Sequence, residues 1–475
     1  MRFVKVSKKI LVMLVLVVSF PVTSFAAGTQ ADQQLLDFSS VWQAALKQTP
    51  EMLLARARIG EAEAAVATAQ GNILPRLNAS YMGSATDNPL NVFGMKLTQG
   101  EATFNDFGAV QFNPSDPASL YIAPRNLNSP DWYDNYQSIL KLQIPVYNGG
   151  KVREQVNQAK AYLATARHGD EMARQQLMLK VLKAYEGVRA ANAFISVADK
   201  SVAAAQAYAT LTDKLFARGV VSYNDQLRAR LNLDSVRLRR SVALTNFDKA
   251  CDGLRILAGF TDNIPMAVAG PVSIALPEES VVQLQKQMEN GNPGLLALRN
   301  REEAAKAEVR IAQADYLPRF NIVLSQEWNA PNPQLGGNSA SMIAGILSWD
   351  LFDFGVRKGN VAQARQRALQ QTAERRRAAN GLRLQLNAAW RDAHLAAESI
   401  KVRELAIIQA EEAERLERLR YEQGVSTMTE LLLIQTQLDK ARSDLIMARY
   451  QELMQRAGLL LALGQLTPAM VSEQP

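Results

Sequence analysis

The feature that most constrains the fold of this chain is an internal duplication, because two similar halves must form two similar structures. Four landmarks recur, namely Thr49-Pro50 as Asn292-Pro293, Leu74-Pro75-Arg76 as Leu317-Pro318-Arg319, Asn148-Gly149-Gly150 as Asp353-Phe354-Gly355, and Phe216-x-x-Gly219 as Tyr421-x-x-Gly424. The first two pairs lie 243 residues apart and the last two 205, so the first half carries 38 extra residues. We assign the repeats to residues 27–268 and 269–475.

The extra residues lie in a stretch rich in Gly, Asn and Pro, between 83 and 130. These residue types favour turns over regular structure, so this stretch is predicted to be a long loop. The loop joins the two strands predicted for the first repeat.

Residues 1–26 have the pattern of a secretory signal peptide. Basic residues open the segment, an apolar stretch runs from 10 to 20, and Ser24-Phe25-Ala26 fits a cleavage site. The sequence therefore predicts export. The one cysteine, Cys251, leaves no cysteine to carry a lipid after cleavage, so the mature protein is expected not to be lipidated.

Several function classes are disfavoured by composition. After cleavage the chain keeps 49 basic and 46 acidic residues, a surplus of +3 that offers no basic face for a nucleic acid. No phosphate-binding glycine loop or nucleophile elbow is present, so we expect no enzyme and no cofactor. His394 and Glu398 are four residues apart but lack a third ligand, so no metal site is expected.

One very long helix is predicted in each repeat. No proline interrupts the chain from 150 to 215 or from 355 to 420, and both stretches are rich in helix formers. At 1.5 Å per residue, each stretch spans roughly 100 Å. Gly219 and Gly424 follow these stretches and suit left-handed turns that reverse the chain.

Two shorter helices in each repeat are expected to lie along the long one. The leading helices are placed at about 51–72 and 295–315, and the return helices at about 223–257 and 428–463. A leading and a return helix together nearly match the long helix, so we expect them to be stacked end to end. Leu431, Leu438 and Leu445 are seven residues apart, which indicates coiled-coil packing.

Alternating apolar and polar residues predict four strands, at about 75–83, 137–146, 318–328 and 342–351. A membrane barrel must close its edges and rarely has fewer than eight strands, so one chain cannot form it. Two copies would give a barrel filled by its own side chains, whereas three give an open lumen. The sequence therefore predicts a homotrimer with a twelve-stranded barrel.

Aromatic residues cluster near the ends of these predicted strands. They are Tyr81, Trp132, Tyr133, Tyr136, Trp328 and Trp349. Such residues form belts at the two membrane interfaces of barrels, so we expect them to contact outer-membrane lipid. The alternative is that they fill a soluble core, and their position at strand ends favours the belts.

At this level the sequence resembles the TolC-like outer-membrane efflux protein family, over essentially the whole mature chain. The most specific parts are the two Leu-Pro-Arg junctions and the two hairpin motifs at Gly219 and Gly424. The resemblance implies a mixed α and β fold, in which coiled-coil hairpins form a periplasmic tunnel below a trimeric barrel in the outer membrane. It also implies a passive channel with a periplasmic adaptor and an inner-membrane transporter as partners, in an efflux pump or a type I secretion system.

The resemblance also implies two kinds of site at the hairpin turns. The turns are expected to be the tips that dock the adaptor: Arg218, Gly219, Val220 and Val221 in the first repeat, and Gly424, Val425, Ser426 and Thr427 in the second. Turns that only reverse the chain are the alternative. A periplasmic gate is expected from Glu430, Asp225, Asn224 and Tyr421.

Within this gate, Glu430 matches the outer of the family's two aspartate rings, and the second ring position is Leu433. The arginine of the family's closing network is replaced by Ser426, which leaves a hydrogen-bonded latch through Asn224, Asp225 and Tyr421. Three carboxylates in a narrow mouth would raise one another's pKa and attract cations. An ordinary exposed helix glutamate is the alternative for Glu430.

A second class of protein also contains long helical hairpins, namely periplasmic adaptors and envelope-spanning scaffolds. Adaptors usually carry one hairpin within a lipoyl-like β domain. Two hairpins and four amphipathic strands favour the channel.

Overall fold

The computed structural model describes residues 34–260 and 266–473 of the chain, so the predicted signal peptide lies outside the described residues. The helices are α1 Phe38–Gln48, α2 Pro50–Gly71, α3 Pro89–Gln99, α4 Arg125–Asn128, α5 Lys151–Ala217, α6 Tyr223–Ala258, α7 Val281–Gly291, α8 Pro293–Ala314, α9 Val356–Glu422 and α10 Met428–Leu463. The strands are β1 Gln34–Leu36, β2 Arg76–Thr86, β3 Tyr133–Tyr147, β4 Met266–Val268, β5 Val272–Ile274, β6 Arg319–Ala330, β7 Asn338–Ser348 and β8 Val471–Glu473. None of the helices in these described parts is long and apolar enough to cross a membrane.

The long helices α5 and α9 have 67 residues each, and each therefore spans roughly 100 Å. Helix α2 lies beside the first half of α5, where Glu51 pairs with Lys180, and α6 lies beside the second half, where Asp199 pairs with Arg240. The second repeat follows the same plan with α8 and α10 along α9. The predicted end-to-end stacking is therefore confirmed.

Four antiparallel strands form one sheet in the order β2-β3-β6-β7. The register aligns Leu77, Leu142, Leu324 and Ile343 in one row, so their side chains share one face. The neighbouring row contains Asn78, Lys141, Ser325 and Met342 on the other face. The sheet thus has an apolar face and a largely polar face, which we call by these names below.

The last strand differs from the prediction. Strand β7 spans Asn338–Ser348 instead of about 342–351, because its partner β6 begins only at Arg319, directly after Pro318. No partner is therefore available to continue the ladder beyond Ser348. The alternation is weak there because Ala344 and Ile346 stand on the polar face.

The stretch predicted as a long loop is partly regular. Strand β2 continues to Thr86, and helix α3 follows it, capped by the Asn88 side chain and ended by Gly100 in the left-handed region. Three short 3-10 turns and α4 complete the connection to β3. The prediction failed because the turn-forming residues of this stretch cap short helices, which a count of residue types does not distinguish from a loop.

Beside the middle of the long helices, a small layer joins the ends of the repeats. Strand β1 pairs with β4, and β5 pairs with β8, so each small sheet connects the start of one repeat with its end. The main hydrophobic core lies here, where α1 and α7 pack on the long helices around buried Tyr185 and Met288. The sequence analysis did not predict α1, α7 or these sheets.

Candidate functional site

Both hairpin turns have the same helix-ending geometry. Gly219 and Gly424 have φ values of 73° each, so the predicted left-handed conformation is confirmed. In the first turn the N–H of Val220 donates to the Leu215 carbonyl at 3.0 Å, and the second turn repeats this bond between Val425 and Arg420 at 2.9 Å. These bonds satisfy carbonyl groups that a helix end leaves free, so each turn is rigidly defined.

The two turns lie side by side at the end of the molecule farthest from the large sheet. A Cβ atom on Gly424 would come within 3.2 Å of Val220 Cγ1, so the tips touch each other. Val220 and Val425 are 50% and 66% exposed. The tip residues 218–221 and 424–427 therefore form one surface with two exposed valines at its centre.

The acidic gate residues occupy matching places in the two repeats, because each closes a capping box at the start of a return helix. Asp225 Oδ2 accepts from the Ser222 N–H at 3.1 Å, and Glu430 Oε2 accepts from the Thr427 N–H at 3.0 Å. Both carboxylates thus stabilise a helix start. The sequence pattern of Ser or Thr followed three residues later by an acid was present in both turns and could have revealed this role.

Glu430 is exposed and carries a second contact. Its carboxylate accepts from the Ser426 hydroxyl at 2.8 Å, and that hydroxyl also lies against Glu417. The Thr427 backbone N–H, together with the Ser426 and Thr427 hydroxyls, lowers the pKa of the Glu430 carboxyl below its ordinary value. The direction is opposite to the rise expected from a ring of carboxylates, which only neighbouring copies can produce.

Tyr421 is a core residue in this structure. Its side chain is 1% exposed, its hydroxyl lies 3.1 Å from Thr212 Oγ1, and burial raises its pKa. Asp225 is bonded to its own cap, and Asn224 is exposed. The expected latch through Asn224, Asp225 and Tyr421 is therefore not formed in this protomer, because a ring buried among apolar neighbours reaches the nearest internal hydroxyl instead.

Further contacts between the two hairpins come from residues that the sequence analysis missed. The buried Tyr208 hydroxyl on α5 bonds to Glu414 on α9 and to Gln435 on α10, the latter at 2.9 Å. Nearer the tips, Arg228 Nη1 donates to Thr429 Oγ1 at 2.9 Å. These bonds join repeat to repeat. No local pattern signals them, since each partner lies some 200 residues away in the chain.

Four of the six predicted interface aromatics lie near the ends of the sheet. Trp132, Tyr136 and Trp328 are at the end far from the helices, and Trp349 is at the helix end, where its Nε1 donates to the Tyr316 carbonyl at 3.1 Å.

Two others differ. Tyr81 lies at the middle of β2, because that strand extends to Thr86. Tyr133 is three positions before Tyr136 in β3, so the two side chains are on opposite faces, with Tyr136 on the apolar face and Tyr133 on the polar face. The Tyr133 hydroxyl donates to Gln99 Oε1 at 2.8 Å. The structure therefore does not place Tyr133 with the aromatics of the apolar face.

The two histidines take part in local contacts. His394 Nδ1 lies 2.8 Å from the Trp390 carbonyl, and His168 Nδ1 lies 3.0 Å from Glu171. Across residues 34–260 and 266–473, no group of three His, Cys, Asp or Glu side chains is placed to hold a metal ion.

Comparison with known families decides the class of protein. The sequence profile described as "Outer membrane efflux protein" matches residues 41–259 and 284–465, one segment in each repeat. The chain belongs to the outer membrane efflux protein family. The match covers most of the chain, so the predicted resemblance and the predicted location in the outer membrane are confirmed.

Individual relatives of this efflux protein are distant. It is 24% identical to outer membrane protein TolC of Salmonella enteritidis over 62% of each chain, and so spans less than two thirds of TolC. It is 24% identical to the alkaline protease secretion protein AprF of Pseudomonas aeruginosa over 71% of each chain. The crystal structure of outer membrane protein VceC from Vibrio cholerae shares the fold, with a TM-score of 0.72, 20% identity, and 90% and 96% of the two chains covered.

Membership of the efflux protein family also decides between the two classes that the sequence left open. The profile match favours the channel over an adaptor or scaffold. The family is described as one of efflux proteins, which agrees with the expectation that the chain is not an enzyme.

Proposed function

We propose that this efflux protein is the passive exit duct of a tripartite efflux pump or a type I secretion system, closed as a ring of three copies. A periplasmic adaptor and an inner-membrane transporter hand the substrate to it. The observation that carries the proposal is the order of elements across the protomer, which leaves matching open edges at both sides.

The first repeat forms one edge of both the sheet and the helical layer, and the second repeat forms the opposite edge of both. In the sheet, β2 and β7 are the edge strands. In the helical layer, α2 and α6 of the first repeat form one edge beside α5. The helices α8 and α10 pack on the other side of α5, and α9 of the second repeat forms the opposite edge beside them. An open strand edge inside a lipid bilayer leaves backbone groups without partners, so β2 and β7 require a neighbour.

The duplication indicates which neighbour fits. Inside the protomer, β3 pairs with β6, and α5 packs on α8. The sequence offsets of 205 and 243 residues relate β3 to β7, α5 to α9, β6 to β2 and α8 to α2. The corresponding contacts would therefore join β7 to β2 and α9 to α2. These lie at opposite edges of one chain, so they can meet only between copies. This is a head-to-tail contact, and repetition closes it into a ring.

One contact inside the protomer supports this proposed pairing of edges. A Cβ on Gly149 would lie 2.9 Å from Leu317 Cβ, so the turn before α5 packs tightly on the second Leu-Pro junction. The counterparts of these two residues are Phe354 and Leu74, which are 91% and 61% exposed in the protomer. Two large apolar side chains at matching edge positions support a contact between copies.

The sheet also has the dimensions of a membrane-spanning wall. Trp349 directly follows Ser348, and Ser348 pairs with Arg319 of β6. Trp328 lies on β6, nine residues beyond Arg319. At about 3.3 Å per residue the two tryptophans are separated by roughly 30 Å along the strand, close to the hydrocarbon thickness of a bilayer. Three copies of the four strands give twelve, enough for an open lumen lined by the polar face.

The detergent-solubilised protein should be a trimer by light scattering. In addition, Leu74→Cys combined with Phe354→Cys should give covalently linked protomers on oxidation. Each single-cysteine variant is the matched control, because in a head-to-tail ring a residue does not meet its own copy. A monomeric protein that still conducts ions in bilayers would contradict the proposed ring.

The hairpin tips are proposed as the adaptor-docking surface, because α5 places them roughly 100 Å from the sheet, at the periplasmic end of the ring. The exposed Val220 and Val425 supply apolar area for a partner. Glu430 is proposed to form an acidic ring at this entrance, with its carboxylate held in position by the cap of α10.

Replacing Glu430 with Gln should reduce cation selectivity and block by multivalent cations in single-channel recordings. Glutamine can still close the capping box, so this variant removes the charge and keeps the helix start. Because the folded pKa of Glu430 is lowered, the stabilising carboxylate cap is complete at neutral pH and is lost as the pH falls through the folded value. The recordings are therefore made near pH 7.

The matched control is Glu422→Gln, which removes an exposed charge on the other side of the same turn. It should leave selectivity as in the unmodified channel. Selectivity that survives Glu430→Gln would show that this carboxylate does not control entry.

A further inference from the structure

Residues 87–132, which we call the insert, fold back over the large sheet. Gln99 at the end of α3 donates from Nε2 to Asn135 Oδ1 and to the Asp134 carbonyl, both at 2.9 Å. On the edge strand β7, Asn338 Nδ2 donates to the Thr98 carbonyl at 2.8 Å. Helix α3 is thereby fixed across β3, β6 and β7.

The side chains that hold α3 all belong to the polar face. Asn135 alternates with Gln137, which pairs with Asn329, and Asn329 pairs with Asn338. Asn135 Nδ2 donates to Asn329 Oδ1 at 3.0 Å, and both residues are buried. The insert is therefore packed on the polar face, and a buried amide network attaches it there.

The insert also has its own internal support. Lys96 on α3 forms an ion pair of 2.6 Å with Asp106, whose side chain is 8% exposed. Asp106 accepts as well from the Thr103 N–H at 2.7 Å, and the Phe93 and Phe107 rings pack edge to face. These contacts make the insert a defined unit.

The side of α3 that points away from the sheet is apolar. Val92 and Gln99 are buried against the protein, whereas Leu90 and Leu97 are 78% and 52% exposed. Leu90 is two positions before the buried Val92, and Leu97 is two positions before the buried Gln99. Two positions correspond to about 200° around a helix, so the leucines point away from the buried side of α3. Leu90 and Leu97 thus form an unpartnered stripe opposite the sheet.

We propose that the insert is a lid inside the outer mouth of the channel, and that the Leu90 and Leu97 stripes of three copies meet at the ring axis. This inference rests on the proposed function, in which the polar face lines the lumen. A twelve-stranded barrel is roughly 24 Å wide between backbones, from strand spacing and tilt. Three helices of about 10 Å diameter against its wall fill most of that width.

The partner of the stripe is therefore a second copy of the same chain, because only the other two copies can approach it inside the barrel. The constriction is apolar at its centre, so it excludes water and ions when closed. The Gln99 and Asn135 amides attach the lid, and their release lets it move aside for the substrate.

A cross-linking experiment tests the contact at the axis. The variant Leu97→Cys, treated in outer membranes with a short bis-maleimide, should give covalent dimers and trimers of the chain. Lys141→Cys is the matched control, since this exposed position is on the barrel wall, where copies are too far apart to be linked. The unmodified chain, with only buried Cys251, gives the background. If Leu97→Cys links no better than Lys141→Cys, the lid contact is refuted.

A labelling experiment tests the barrier. In cells carrying Lys141→Cys, a polymer-linked maleimide too large for general porins should react slowly from outside, and several-fold faster when Gln99→Ala is added. Asn105→Ala removes an exposed amide of the insert that makes no side-chain hydrogen bond in the described chain, and should leave the slow rate unchanged.

Two results of the labelling would be negative in different ways. Equally fast labelling of all variants would overturn the lid and leave the duct intact. Cysteine at 141 that even a small maleimide leaves unlabelled in solubilised trimers carrying Gln99→Ala would show that the polar face lines no aqueous passage, which would overturn the proposed function and the lid with it.

Discussion

Replacing Gly424 with Val should abolish transport in the strain of origin while trimers still reach the outer membrane. Gly424 has a φ of 73°, which a β-branched residue adopts only at a cost of about 2 kcal/mol. A side chain there would also press on Val220, because a Cβ would already lie 3.2 Å from Val220 Cγ1. Both effects distort the proposed docking surface. The tip is far from the main core, so the strain is absorbed locally and assembly continues.

The matched variant is Gly219→Asn. Gly219 has the same φ of 73°, but no atom lies within 4 Å of the place that an added Cβ would take, and asparagine tolerates the left-handed region. This variant keeps the turn geometry and the positions of both valines, so it should lose far less transport than Gly424→Val. Transport measured as drug resistance or as secreted protein, together with trimer content in membranes, separates the outcomes. Unchanged transport with Gly424→Val would refute docking at this tip.

Substituting Gly149 with Ala should prevent assembly of stable trimers. A Cβ there would lie 2.7 Å from the Ala314 carbonyl oxygen and 2.9 Å from Leu317 Cβ, so backbone atoms would have to move. With the added cost of its φ of 65°, we expect a loss of about 3 kcal/mol in folding free energy. The affected contact joins the two repeats where the helices enter the sheet. The amount of heat-modifiable trimer in outer membranes measures the effect.

The neighbouring glycine supplies the control for this prediction. Gly150 has a φ of 80° but nothing within 4 Å of an added Cβ, so Gly150→Ala should cost only about 1 kcal/mol and still assemble. Equal trimer yields from Gly149→Ala and Gly150→Ala would show that the close approach to Ala314 does not limit assembly.

The second repeat shows why this close approach matters. Phe354, the counterpart of Gly149, has a φ of 52°, and among the described residues it is the one residue other than glycine with a positive φ. Within the protomer no Leu-Pro junction packs against this turn, and the Phe354 side chain is 91% exposed. A large residue is accommodated there at the cost of backbone strain, and in the proposed ring it is this side chain that meets the Leu74 junction of the next copy.

Much of the fold was predictable because it follows from local pattern. The proline-free stretches define α5 and α9, and Gly219 and Gly424 define the turns. Helix propensity, proline exclusion and left-handed glycine geometry act within a few residues of the chain, so they can be read without the structure.

The gate was less predictable, because its residues were assigned only by matching their positions to those of the family's motif. Tyr421 matched a gate position in sequence, yet its ring is enclosed by α5, α6 and α10 and reaches Thr212. Asp225 and Glu430 matched as well, and both also close capping boxes. A position in a motif does not indicate which way a side chain faces once helices from two repeats surround it.

By itself, the sequence determined the duplication, the lengths of the helices, the turns and the two faces of the strands, since each of these is visible in the order and spacing of residues along the chain. Only the tertiary structure decided that Tyr208 joins the two hairpins, that Tyr133 holds Gln99 and that the insert packs on the polar face. These outcomes depend on polar groups that meet across long separations in the chain. Their partners are selected by burial, because a buried amide or hydroxyl must find a hydrogen bond wherever the packed elements offer one.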